Sequence, residues 1–118
     1  MSRMIEPPNS VLLLVGREEF TPPSTFAGAA CASTADCIAV GVLSVTDGPT
    51  RVSFSQATDP SLVILGAFTI ESEGHLSLRD IHSQEYDSIG VDAGSVRVTV
   101  LGNDLNEPDE VVFVVVST

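Results

Sequence analysis

Between Gly102 and Glu110 the chain reads Gly-Asn-Asp-Leu-Asn-Glu-Pro-Asp-Glu, which places the carboxylates of Asp104, Glu107, Asp109 and Glu110 within nine residues. Two chemistries use such a cluster. Oxygen donors from Asp104, Asn106, Glu107, Asp109 and Glu110 suit a hard cation such as calcium, but the spacing lacks the glycine and the terminal glutamate of the helix–loop–helix calcium site, and Pro108 points to a turn. The alternative is a solvated hairpin loop whose acids meet a basic protein. Glu71 and Glu73, beside the turn Ser72-Glu73-Gly74, form a second acidic group of the same kind. The loop therefore predicts a partner-binding edge, and no metal or other cofactor is expected.

Other reactive residue types are sparse. Cys31 and Cys37 stand five residues apart, and His75 and His82 follow much later. Two cysteines cannot make a four-ligand zinc site, and the spacing to the histidines matches no zinc pattern. A small disulfide loop is geometrically open, but two reduced thiols are the expectation, with Cys37 a small buried apolar residue near a strand start. His82, Glu85 and Asp87 come nearest to an acid–base cluster; however, His82 and Glu85, three apart, fall on opposite faces of a regular strand. There is no His-Glu-x-x-His, Gly-x-Ser-x-Gly, phosphate-loop or dinucleotide motif. The expectation is a protein without catalytic residues, with a small enzyme of unknown class as an alternative. A peptide- or sugar-binding module is a further class, although five Phe, one Tyr and no Trp supply little aromatic surface for sugars.

Charge narrows the partners. The chain has 16 acidic residues against five Lys plus Arg, a formal net charge of -11. Residues 1–58 hold five acids and three Arg, whereas residues 59–118 hold eleven acids and two Arg, a net of -9. Such a field repels nucleic-acid phosphates and anionic membrane surfaces, so neither is an expected partner, and it attracts a basic protein. The same charge also serves solubility. The apolar runs Val11–Val15 and Val111–Val116 are far short of the roughly 20 residues that span hydrocarbon. The start Met-Ser-Arg-Met-Ile-Glu-Pro-Pro lacks a basic region followed by an apolar stretch, so a cytoplasmic location is expected.

The elements that must position these acids are strands. Apolar segments are short, punctuated by Gly, Pro, Asp and Ser, and none shows a sustained helical period. In 118 residues there is room for one core. The first strand is placed at Ser10–Gly16, followed by an irregular connection over residues 17–35. Cys37–Val45 and Arg51–Gln56 are read as a hairpin about Asp47-Gly48-Pro49, with Val52 and Phe54 facing inward. Leu62–Ile70 comes next, with Leu62, Ile64, Phe68 and Ile70 on one face and Gly66 marking a bulge or close crossing. Then follow His75–Ile81, with Leu76 and Leu78 on one face, and a terminal antiparallel pair joined by the 102–110 loop. The pattern predicts an all-β, two-layer antiparallel β-sandwich of about seven or eight strands in a single domain, residues 1–118. Val11–Val15 and Val111–Val116 are apolar on both faces, more than one small sandwich readily encloses, which predicts a homo-oligomer.

Three stretches carry a resemblance: Cys37-Ile-Ala-Val-Gly-Val, Thr46-Asp-Gly-Pro-Thr-Arg-Val, and Val91-Asp-Ala-Gly-Ser-Val-Arg-Val-Thr-Val-Leu-Gly-Asn-Asp-Leu-Asn-Glu. Over roughly residues 37–116 the chain resembles small bacterial all-β proteins related to competence protein J, which in its family inhibits a partner nuclease. The resemblance implies an inhibitor or immunity-type role toward a basic protein such as a nuclease. It brings no catalytic residues. The chain departs from the group at its end, where Val-Val-Val-Ser-Thr stands in place of an aromatic residue and a proline.

Overall fold

The computed structural model describes residues 2–26 and 29–117. Among the described residues ten strands are formed: β1 (Ser2–Ile5), β2 (Val11–Val15), β3 (Cys31–Ser33), β4 (Cys37–Gly41), β5 (Thr50–Ser55), β6 (Val63–Ser72), β7 (His75–Arg79), β8 (Glu85–Gly90), β9 (Gly94–Gly102) and β10 (Glu110–Ser117). One five-stranded sheet has the order β1-β5-β10-β9-β6 and the other β3-β4-β2-β7-β8. The fold is therefore all-β and sandwich-like, with ten strands where seven or eight were expected.

Alternation explains how the sheets stack. Leu12, Leu14, Ile38, Val40, Leu76 and Leu78 from one sheet meet Val52, Ile70, Val96, Val98, Val100, Val111 and Phe113 from the other in a single buried cluster. These are alternate positions along their strands, so each strand turns one face to the partner sheet.

Three details depart from the reading of the sequence. The Cys37–Val45 and Arg51–Gln56 segments do not form a hairpin: β4 pairs with β2 and β3, whereas β5 pairs with β1 and β10. Between them the chain crosses from one sheet to the other, and the amides of Leu43 and Arg51 donate to the carbonyls of Pro108 and Asp109 instead of to each other's strands. Second, β5 and β10 run parallel, so that sheet is mixed rather than wholly antiparallel. Third, the bulge lies between Ile64 and Gly66 and reverses the facing of everything before it. Phe68 packs against the core and Ile70 is buried within it, while Ile64 is 63% exposed on the outside.

The strands with two apolar faces are enclosed by the chain itself. Leu13, Val15, Cys37 and Ala39 form an outer cluster covered by Phe20 and Phe26 of the long connection. On the other sheet Leu101, Val112 and Val114 cluster beneath Leu62. The surplus apolar surface that suggested self-association is thus largely used within one chain.

The cysteines lie on opposite faces of their sheet, Cys31 in the central core and Cys37 in the outer cluster, and both are free and buried. Burial pushes the Cys31 thiol up to about 11 and the Cys37 thiol, which also feels Asp36, up to about 12. A thiol reagent at pH 8 is expected to find no reactive cysteine in the folded protein and two after denaturation. Rapid labelling of either thiol under native conditions would contradict this placement.

Candidate partner-binding surfaces

The acidic loop is built by its own side chains. The carboxylate of Asp104 accepts the amide hydrogens of Asn106 (2.8 Å) and Glu107 (3.0 Å). Those bonds, Glu107's first, hold its pKa below the ordinary carboxylate value. Asn103 accepts the amides of Asp109 (3.1 Å) and Glu110 (3.2 Å), and its side-chain amide donates to the Asp109 carboxylate. Pro108 is buried under this frame. The four acids are therefore gathered on one rigid loop, but Asp104 and Asp109 already serve it, while the carboxylates of Glu107 and Glu110 have no such bond among the described residues. Leu105, which follows Asp104 on the same loop, is 59% exposed.

Glu71 and Glu73 are not part of this edge. They lie where β6 ends, opposite the start of β9, whereas the loop follows the end of β9. Eight residue steps of strand put the two groups roughly 27 Å apart. Both are engaged locally. Glu71 accepts from Ser95, and Glu73 pairs with Arg17 at 3.7 Å while accepting the Glu18 amide.

At that far end the sheets part around a cleft of about 850 Å³. Its walls come from the end of β5 (Phe54 to Gln56), the β8–β9 connection (Ile89 to Asp92) and the end of β10 (Val115, Val116). The connection is fixed by the Val91 amide donating to the Gly74 carbonyl, and Gly74 and Gly94 turn the chain there with φ of +125° and +115°.

The arrangement of ten strands has a counterpart among solved structures. The crystal structure of ComJ, inhibitor of the DNA degrading activity of NucA, from Bacillus subtilis, superposes with a TM-score of 0.74. This chain has the ComJ fold. The match covers 100% of this chain and 96% of that one at 12% sequence identity. The amino-acid sequence matches no protein-family model and no curated protein. The likeness to ComJ extends over β1 to β3 as well as the residues 37–116 where the strand and turn patterns suggested it. At 12% identity it establishes the fold and transfers no residue.

Two of the three residues of the nearest acid–base grouping are held in structural pairings. His82 is exposed in the β7–β8 turn, Glu85 accepts from Ser77, and Asp87 pairs with Arg3 at 3.1 Å, tying the edge strands β8 and β1 together. These three do not converge on one point. Among the described residues no three His, Cys, Asp or Glu side chains gather where a metal ion could be held, and no helix is long and apolar enough to cross a membrane.

Two polar centres were not read from the sequence. Arg79, on the outer face of β7, donates to Ser77 (2.8 Å) and Glu18 (3.1 Å) beneath the ring of Phe20, 5.7 Å away, and so fastens the 17–20 segment to its sheet. Beside it the buried Asp80 accepts from the Tyr86 hydroxyl and from the amides of His82 and Gln84. Burial raises the Asp80 pKa, but the bonds from Tyr86, Gln84 and His82, with the His82 charge, outweigh it and leave the carboxyl below its ordinary value. Burial and the Asp80 bond push the Tyr86 hydroxyl up to about 12.

The two groups contribute at opposite ends of the pH scale. Asp80's contribution is present above about pH 4 and is lost as pH falls through its lowered pKa; Tyr86's is present below about pH 10 and is lost as pH rises through about 12. Tyr86→Phe is expected to cost about 1 kcal/mol at pH 7 and to remove the alkaline part of that loss. Urea unfolding at pH 7 and pH 11 measures both. An unchanged midpoint at pH 7 would show that the hydroxyl bond is not a stabilising contact.

Proposed function

We propose that this chain is a non-enzymatic protein-binding domain that inhibits a basic partner, a nuclease in the first instance. The observation that carries the reading is the likeness, over essentially the whole length of both chains, to ComJ, which inhibits a DNA-degrading protein. The acidic field of residues 59–118 supports it. Nucleases hold phosphates on cationic surfaces, and an acidic domain competes for such a surface and gains association rate by steering. Glu107 and Glu110, with Asp104 and Asp109 on the same loop, are our choice for the acids that meet the partner. Glu71 and Glu73 stand second because they are engaged locally. The working place proposed is the cytoplasm, where both buried thiols stay reduced. Self-association would rest on Ile64 and Val116, the apolar side chains left exposed on the outer face of β6 and β10.

The test is DNA degradation by NucA with and without a stoichiometric excess of the chain, alongside binding kinetics at about 50 mM and 300 mM salt. The variant D104N/E107Q/D109N/E110Q removes four charges and keeps an oxygen acceptor at positions 104 and 109, so the loop frame is preserved. Inhibition by the wild type is expected, with the neutralised variant associating about tenfold more slowly at low salt and the gap closing at high salt. Unimpaired DNA degradation would reject the nuclease as partner. An unchanged association rate would reject the loop as the steering surface.

A further inference from the structure

We propose that the cleft between the ends of β5, β8 and β10 is the anchor socket of this domain, taking a large apolar side chain flanked by Arg or Lys on the partner protein. The inference rests on the basic-partner reading above and supplies what charge alone does not. Exposed carboxylates govern encounter and salt dependence, whereas affinity comes from a few apolar groups seated in desolvated pockets.

The cleft has the chemistry for this occupant. Its floor is Phe54, Ile89, Val91 and Val115, all half-buried and packed against the central core, so they are set by the fold. Its volume of about 850 Å³ falls within the range of ligand pockets, roughly 300–1,000 Å³. Asp92 is the charged residue of the lining, and its carboxylate makes no hydrogen bond or ion pair among the described residues. One free carboxylate beside a cleft with an apolar floor, on a chain of net charge -11, selects a cation beside the apolar group and disfavours fatty acids, anionic lipids and phosphates.

The acidic loop lies at the other end, which separates two kinetic roles. Neutralising the loop changes the association rate, and blocking the cleft changes the dissociation rate.

The probe is the capped tripeptide Arg-Phe-Arg, compared with Glu-Phe-Glu and Arg-Ala-Arg, titrated into the isotope-labelled chain while amide chemical shifts are recorded. Arg-Phe-Arg is expected to shift residues 54–56, 89–92 and 115–116 with a Kd of about 1 mM, and each control to bind at least about tenfold more weakly. Ile89→Ser makes part of the floor polar at a half-buried position of an edge strand and is expected to weaken the shifts at least about tenfold while the rest of the spectrum is kept. Asp92→Asn serves as a second variant that leaves the socket open: Phe stays bound and the preference for Arg over Glu flanks falls. No shift at about 10 mM Arg-Phe-Arg, equal shifts with either control, or full binding by a folded Ile89→Ser protein would each overturn the socket. None of these results depends on nuclease inhibition, so a failure of the socket and a failure of the inhibitor reading are told apart.

Discussion

Replacing Phe113 by alanine is expected to lower the free energy of unfolding by about 3–5 kcal/mol. Its side chain is 0% exposed at the middle of β10, which has β5 on one side and β9 on the other. The ring packs against Phe54 with centroids 5.8 Å apart, tilted by 32°. Truncation removes the transfer free energy of the ring and leaves a cavity that strands pinned on both sides cannot close. Since Phe54 also floors the cleft, the loss should loosen that wall too. Denaturant unfolding of F113A beside V116A supplies the contrast. Val116 is 48% exposed, and its truncation should cost about 0.5 kcal/mol or less. Similar losses for the two would mean that Phe113 is not the centre of the core.

Gly16→Ala is the second large effect. A Cβ on Gly16 would lie 2.0 Å from the carbonyl oxygen of Glu71 and 3.0 Å from its carbonyl carbon, and both are backbone atoms that cannot rotate away. The position is fixed from both sides as well: the Gly16 amide donates to the Asp36 carbonyl (2.9 Å), and its carbonyl accepts the Glu73 amide (2.8 Å). One methyl group must therefore push the end of β6 off the end of β2. A loss of about 3 kcal/mol, seen as a fall of roughly 10 °C or more in Tm, is expected. Gly90→Ala is the internal control, because its Cβ meets nothing and the change should stay within about 0.5 kcal/mol. Thermal unfolding of the pair checks the close approach directly, and a G16A protein as stable as the wild type would refute it.

The legible part of this fold was the part that alternates. Val96, Val98 and Val100 in β9, the run Val111–Val116, Val52 with Phe54, and Leu76 with Leu78 each declared a strand and its inward face, and the structure puts them there. The missed strands, β1, β3 and β8, are three of the four sheet edges. An edge strand pairs on one side only and often carries charged or polar residues, so Ser-Arg-Met-Ile and Glu-Tyr-Asp-Ser-Ile-Gly give no apolar alternation to read. The false hairpin has a different origin. Asp47-Gly48-Pro49 is turn chemistry, and turn chemistry reports that the chain reverses without reporting which strands then pair.

The site divides in the same manner. The acidic loop was visible because its residues are contiguous, but Asn103's hold on Asp109 and Glu110 and Asp104's hold on its own turn were not. Ser77 and Arg79 alternate with Leu76 and Leu78 as solvent-facing residues would, yet both are buried under the segment carrying Glu18 and Phe20, sixty residues earlier. The cleft could not be read at all, since it draws on three stretches separated by more than twenty residues each.

The parallel contact of β5 with β10 also sets the order in which the protein can assemble. Val52 lies beside Val111, about sixty residues along the chain, and this ladder forms the middle of its sheet. The β9–β10 hairpin closes across a short loop and can form early, but β10 has no second neighbour until β5 arrives from far upstream. Closing so long a loop costs entropy before any contact repays it, and topologies of this kind fold in milliseconds to seconds. The same wiring makes the sheet hard to open piecemeal, because β10 leaves only if both neighbours release it. Such a topology reaches its shape slowly and is released only as a whole, a combination that would suit the binding role proposed above.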